Sequence, residues 1–275
     1  MDTTKPELAQ TTSELLCRQL GSTSAPLIVD VRKHQAFTES DYMLAGALRR
    51  DPMLLMQWAP DLPTAQSVVV YCVHGHEVSQ DTASALRRLG VNASYLEGGI
   101  EAWREQQHPL FAKAAGSGTR WVSRERPKID RIACPWLIRR FVDASAEFLY
   151  VPTDQVAQVA ADEKAAAYDV GPQVASMPFS HVGEHCSFDA FIERYHLEHD
   201  AALQRLALIV RGADTDRLEL APQCAGLVAL SVGMSRIESD DCVMLATMMP
   251  VYDALYAWCR DAVAGQDEKH SWRPA

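Results

Sequence analysis

The chain has 275 residues, 48% of them hydrophobic, which is enough for two domains with proper cores. Its formal charge of −10 is spread over both halves without a basic stripe, so nucleic acid is not an expected partner. The seven cysteines are an odd number without C-x-x-C pairs, which argues against a disulfide framework and fits reduced thiols.

Apolar runs are short and punctuated, so no membrane span is expected. The polar residues from Met1 to Gln10 lack a secretory pattern, and a cytoplasmic location is the expectation. The first element is a short helix opened by Thr12-Ser13-Glu14-Leu15-Leu16, with a hydroxyl cap and a carboxylate in its first turn. A strand over Leu27 to Val31 follows, and strands alternate with helices as far as Trp103, the pattern of a small α/β layer fold.

Within that pattern, Val68-Val69-Val70-Tyr71 reads as a buried strand of the parallel-sheet kind that runs straight into Cys72. Gly75 lets the chain turn, and from Ser79 the apolar positions Ala83, Ala85, Leu86 and Leu89 recur at helical spacing until Gly90 stops them. Cys72 therefore sits at the carboxyl end of a strand, in a loop of Val73, His74, Gly75, His76, Glu77 and Val78 at a helix N-terminus. Unpaired amides and the helix dipole favour an anion there, a thiolate or a persulfide. The plainer alternative is a cysteine buried as a small hydrophobe. His74 and His76 either assist a thiolate when protonated or only solvate the loop.

After Pro109 the small residues of 112–119 read as a flexible connector between domains 10–111 and 120–264. The second domain opens with a strand and a basic turn over Arg120 to Lys128. Asp130 is then expected to cap a helix that carries Cys134 and Pro135 in its first turn. Cys134 is either a thiol activated by that helix end or a packed side chain. Glu147 to Val151 reads as a strand, Thr153 to Glu163 as a helix and Ala167 to Val170 as a further strand.

Between Phe179 and Ser187 the loop gathers His181, Glu184, His185 and Cys186, with Ser187 as the expected helix cap. Imidazole, carboxylate and thiolate are the ligands of zinc and other first-row metals, so His181, Glu184, Cys186 and a downstream Asp214 form a candidate site for a divalent ion. A solvated polar loop is the alternative. A helix from an Asp200 cap should end at Gly212, ahead of Asp214 and Asp216. The remainder reads as helical, with Pro250 expected to kink or split the last segment and the polar tail from Gly265 expected to fray. Arg131, Arg139 and Arg211 could clamp an oxyanion or serve as surface ion pairs. The fold class expected is α/β, a small parallel-sheet domain followed by a mixed α/β, helix-rich one.

Several strings resemble known families. Val29-Asp30-Val31-Arg32, the terminal Gly46-Ala47, the six-residue loop from Cys72 to Glu77 and Leu96-Glu97-Gly98-Gly99-Ile100-Glu101-Ala102-Trp103 resemble a rhodanese domain. The resemblance implies a structural pair Asp30 and Arg32, a persulfide on Cys72, a small-molecule or protein sulfur donor and a thiol acceptor. Rhodaneses that use thiosulfate often carry Arg or Lys in or near the loop, whereas this one holds His74, His76 and Glu77. The string from Pro127 to Phe141, with His181-x-Gly183-Glu184-x-Cys186-Ser187-Phe188 and Ile209 to Thr215, resembles the ChrB chromate-resistance domain. It implies association with chromate resistance, and chromate or another oxyanion as a partner. Together they imply a cytoplasmic sulfurtransferase coupled to a ChrB-like domain. The alternative is a sensor or accessory protein in which Cys72 only reports redox state.

Overall fold

The computed structural model describes residues 9–22, 25–63, 65–113, 120–170 and 179–265. The chain divides into two compact units, Met1–Ala114 and Ala115–Ala275. The expected connector is shorter than its composition suggests, because Ala112 still belongs to a strand and Lys113 donates to the Phe37 carbonyl. Residues 114–119 and the tail beyond Gly265 lie outside the described residues.

The first unit is built on strands β1 (Gln10–Thr11), β2 (Leu27–Asp30), β4 (Leu48–Arg49), β5 (Val68–Tyr71) and β6 (Ala93–Leu96). They form one parallel sheet in the order β1-β6-β5-β2-β4. Every residue of β2 and β5 is buried, which is why Leu27 to Val29 and Val68 to Tyr71 read as continuous apolar runs rather than as alternating ones. Helices α1 (Ser13–Gln19), α2 (His34–Glu39), α3 (Leu55–Trp58), α4 (Glu77–Arg88) and α5 (Gly99–Glu105) connect the strands. Val29, Val70, Leu86 and Trp58 meet in its main core. A separate antiparallel pair, β3 (Tyr42–Leu44) with β7 (Leu110–Ala112), closes the unit.

The second unit has a three-stranded parallel sheet, with β8 (Arg120–Arg124) between β9 (Glu147–Val151) and β10 (Ala166–Ala167). The strand expected over Ala167 to Val170 stops early, because Asp169 turns to a left-handed backbone, φ 47°. The remaining elements are helical: α6 (Asp130–Leu137), α7 (Val156–Asp162), α8 (Ser187–Arg194), α9 (Ala201–Asp214), α10 (Cys224–Ile237) and α11 (Asp241–Val263). Aromatic rings fill the space between them. Phe179 stacks on Phe191 at 4.4 Å, and Trp136 lies 5.4 Å from Tyr256.

Several local expectations are corrected. Ile129, not Asp130, caps α6, so Asp130 is its first residue, while Cys134 and Pro135 fall beyond the first turn. Cys186, not Ser187, caps α8, and Asp189 in its first turn accepts from the Cys186 amide at 3.0 Å. Helix α9 runs through Gly212 to Asp214, because Gly212 is there for close packing rather than for a turn. Helix α11 is continuous through Pro250. It is also long and apolar enough, by length and composition, to cross a membrane, contrary to the reading of the sequence. Met244, Met248, Tyr252 and Tyr256 are nevertheless buried along it, and its buried Asp253 binds the Arg140 guanidinium at 2.8 and 2.9 Å. Those contacts are of a core helix.

Candidate functional site

Cys72 is the first residue after β5, at the carboxyl edge of the parallel sheet, where loops of such sheets gather ligands. The loop that follows is fixed from outside. Two amides in the first turn of α5, at Ile100 and Glu101, donate to the Cys72 and Val73 carbonyls, both at 3.1 Å. Gln80 donates to the Gly75 carbonyl at 3.0 Å, and Ser79 Oγ to that of His76 at 3.1 Å. With these carbonyls engaged, the amides from Val73 to Val78 donate to no protein acceptor among the described residues. They are the unpaired donors of a loop entering the N-terminus of α4.

The Cys72 thiol lies 3.2 Å from Ser79 Oγ, whose place at the start of the helical spacing gives no sign of that contact. Only 6% of Cys72 is exposed, yet it lines a pocket of about 500 Å³ together with Arg32, Lys33, His74, His76 and Glu77. The two histidine rings stand 5.8 Å apart. Lys33 supplies the cationic group that the loop itself lacks. It belongs to the neighbouring β2–α2 connection, so spacing around Cys72 gives no signal for it.

Arg32, which lines this pocket, is paired with Asp30. The guanidinium grips both Asp30 oxygens, Nη2 to Oδ2 at 2.6 Å and Nε to Oδ1 at 3.0 Å, with both side chains almost fully buried. Tyr71 donates to the same carboxylate at 2.8 Å and accepts from the Leu44 amide at 3.3 Å. The pair thus ties β2 to β5 and to β3.

In the second unit a different group converges. His181 Nε2 lies 3.2 Å from Asp130 Oδ2, 3.4 Å from Asp169 Oδ1 and 3.3 Å from Asp214 Oδ2. Hydrogen bonding with Asp130 and then Asp169 lifts the imidazole to about 10. Asp169 is held down in spite of its burial by His181 and Arg124, whereas burial and then the charge of Asp130 push Asp214 up. Ile129, just before Asp130, has the rare φ of 45° for a β-branched residue. Its amide is held by Ser231 Oγ at 3.0 Å and its carbonyl by the Tyr252 hydroxyl at 2.7 Å.

The sequence profile of the ChrB C-terminal domain matches residues 121–259, half of the chain. The chain belongs to the ChrB C-terminal domain family. A rhodanese-like domain matches residues 12–106 ahead of it. Protein ChrB of Cupriavidus metallidurans is 30% identical over 139 residues, 50% of this chain and 40% of that relative's own length. A rhodanese-related protein of Thermoplasma volcanium is similar to 37% of this chain and 96% of its own, at 24% identity and a TM-score of 0.33. A rhodanese-like domain protein of Staphylococcus aureus is similar over 35% and 91%, at 21% identity and a TM-score of 0.32.

Within the ChrB domain the expected metal set is corrected. Only His181 and Asp214 join. Glu184 is exposed and pairs with Arg217 at 3.0 Å, while the buried Cys186 thiol points to Asp189, and burial raises it far above its ordinary value. Asp130 and Asp169 take their places. Asp130 was legible only as a helix cap, and Asp169 only as part of a strand, so neither offered ligand spacing.

The expected oxyanion or thiol site of Arg131, Cys134 and Arg211 does not form. Arg131 is spent on Asp169 at 3.1 Å, and Arg211 grips Asp189 at 2.6 and 2.9 Å. Cys134 is wholly buried, which drives its thiol strongly upward. Arg139 donates to the Ala146 carbonyl at 3.1 Å and lies over the Phe148 ring.

Proposed function

We propose that Cys72 is the sulfur carrier of a cytoplasmic rhodanese-type sulfurtransferase whose fused ChrB domain ties that chemistry to chromate resistance. One observation carries this reading: Cys72 stands at the carboxyl edge of the sheet, inside a loop whose amides have no protein acceptor among the described residues while its carbonyls are bound from outside. Such a cradle suits a sulfur anion more than a neutral thiol.

In the first half-reaction the Cys72 thiolate attacks the sulfane sulfur of a donor. The donor's sulfur bond breaks, its remainder leaves with the electron pair, and Cys72 holds the outer sulfur as a persulfide anion facing the amides. In the second, a thiol acceptor, as its thiolate, attacks that outer sulfur and Cys72 departs as thiolate. Ser79 suits both states, since its hydroxyl can accept from a thiol and turn to donate to an anion 3.2 Å away. Lys33 at the pocket rim favours an anionic donor.

The test is sulfur loading. The full chain is incubated with thiosulfate, cysteine persulfide or glutathione persulfide, and intact mass is followed by discharge to cyanide or a thiol. Wild type should gain one sulfur atom that Cys72→Ser does not gain, and the acceptor should remove it. If no donor loads Cys72, the sulfurtransferase reading is lost and a redox reporter in a chromate-resistance accessory protein takes its place.

A further inference from the structure

We propose that Asp130, Asp169 and His181, with Asp214 beside the imidazole, form a binding site for a divalent first-row metal ion, held by carboxylate oxygens and one imidazole nitrogen. This site is independent of the Cys72 chemistry.

Distances carry the first step. A single ring N–H makes one good hydrogen bond, and charge-assisted bonds to carboxylate run at about 2.7–2.9 Å. Here the same nitrogen faces three carboxylate oxygens at 3.2, 3.4 and 3.3 Å, and reaches none of them at that length. Two atoms bound to a common ion at about 2.0–2.2 Å stand roughly 3.0–3.5 Å apart around a tetrahedral or octahedral centre. The spacing of the imidazole nitrogen from the three oxygens is that of ligand atoms sharing an ion. The donor atoms of Asp130, Asp169 and His181 all lie within 4.8 Å of one another.

Assembly and charge give the second. The four side chains come from separate segments: the first residue of α6, the turn after β10, the stretch ahead of the Val182–His185 bridge, and the last residue of α9. The Asp130, Asp169 and Asp214 side chains are only 2%, 3% and 15% exposed, and buried carboxylates demand compensation. Arg124 and Arg131 supply it to Asp169 alone. Among the described ion pairs Asp130 and Asp214 have only His181. A divalent ion in exchange for the imidazole proton would serve all three.

Orientation gives the third. Both guanidiniums take Asp169 Oδ2, at 2.8 and 3.1 Å, while Ser187 Oγ donates to Oδ1 at 3.2 Å. Oδ1 is thereby aimed at His181, as outer partners aim a ligand in a built metal site. The donor set also selects the ion. With Cys186 turned to Asp189 and Cys134 buried, no thiolate takes part, and carboxylate oxygens with one nitrogen suit Mn²⁺ or Fe²⁺ in place of a zinc-thiolate centre. The His181 side chain is 40% exposed, so one side of the site is open to water or a small ligand.

The experiment uses the full chain, stripped with a chelator and titrated with Mn²⁺, following loss of the free-ion paramagnetic resonance signal. A single equivalent should bind, with Zn²⁺ competing. Asp130→Asn and His181→Gln should each weaken binding at least tenfold while leaving the circular dichroism spectrum unchanged. Cys186→Ser, Glu184→Gln and Cys72→Ser should bind as wild type does. The proposal is overturned if wild type takes up no Mn²⁺, if both ligand variants bind undiminished, or if Cys186→Ser is the variant that loses the ion.

Discussion

Gly99 lies so close to Cys72 that a Cβ at Gly99 would stand 2.5 Å from the Cys72 carbonyl oxygen and equally near that of Val73. Its φ is +61°, a left-handed conformation that costs a residue with a side chain about 1–2 kcal/mol. Both obstacles are backbone atoms of the sulfur-carrying loop, so the clash can be relieved only by moving that loop. Gly99→Ala should therefore cut sulfur loading of Cys72 by far more than its loss of stability explains. Gly90→Ala is the control, with φ +87° and nothing within 4 Å, and should lose only the conformational contribution in urea denaturation. Equal effects of the two variants on loading would break the link between the α5 turn and the cysteine.

Ser79→Ala tests the nearest side chain to the thiol. Its Oγ is 3.2 Å from Cys72 Sγ and also donates to the His76 carbonyl at 3.1 Å. A hydrogen bond to a charged group contributes roughly 1.5–3 kcal/mol, so persulfide formation should slow by about tenfold or more. Cys72 alkylation and single-turnover loading would both read this. A rate within a factor of two of wild type would remove Ser79 from the chemistry.

The strand, cysteine and helix order of the first unit was legible because each signal is local. Val68 to Tyr71 is an unbroken apolar run, Gly75 marks the turn, and helical spacing begins a few residues later. The metal-type cluster was legible only in part. Asp130, Asp169, His181 and Asp214 meet through the packing of α6, α9 and the small sheet, and no spacing in the chain records that. Glu184 and Cys186 were attractive because they neighbour His181 in sequence, but helix α8 begins at that point and turns Cys186 into its cap. Gly212 misled for a similar reason, since a glycine needed for close approach looks in sequence like one needed for a turn.

Asp30→Asn should be among the most damaging single changes in the first unit. It leaves the buried Arg32 guanidinium without its carboxylate and the Tyr71 hydroxyl without its charged acceptor. Breaking a buried pair from one side costs about 3–5 kcal/mol. Replacing both partners, as Asp30→Leu with Arg32→Met, should recover much of that loss, because no charge is then stranded. Denaturant midpoints of the single and double variants decide it, and a double variant no better than the single would mean that the contact of Arg32 with the Tyr42 carbonyl at 3.0 Å matters more.

Lys33 bears on the choice of sulfur donor. The loop carries Glu77, which opposes a dianion, but Lys33 lines the same pocket as Cys72. An exposed charge contributes up to about 1 kcal/mol, so Lys33→Ala should raise KM for thiosulfate by roughly threefold to fivefold with kcat little changed. Lys33→Arg should restore it. An unchanged KM for thiosulfate would show that the rim does not read donor charge.

Gly212→Ala offers a test of sign in the ChrB domain. In an open helix interior, replacing glycine by alanine stabilises by about 0.5–1 kcal/mol. At Gly212 the added methyl would stand 2.5 Å from Cys224 Sγ and 2.8 Å from the Arg217 carbonyl oxygen. Cys224 is the first residue of α10 and is buried, and the Arg217 amide already donates to the Gly212 carbonyl at 2.9 Å, so relief needs a buried thiol to turn into packed neighbours and a hydrogen-bonded turn to shift. Overpacking of this kind costs about 1–3 kcal/mol, which outweighs the helical gain and makes the net effect a loss. Gly226→Ala and Gly233→Ala, on α10 with nothing within 4 Å, should instead raise the midpoint of thermal unfolding. A Gly212→Ala variant as stable as those two would mean that α9 and α10 are not in contact at this glycine.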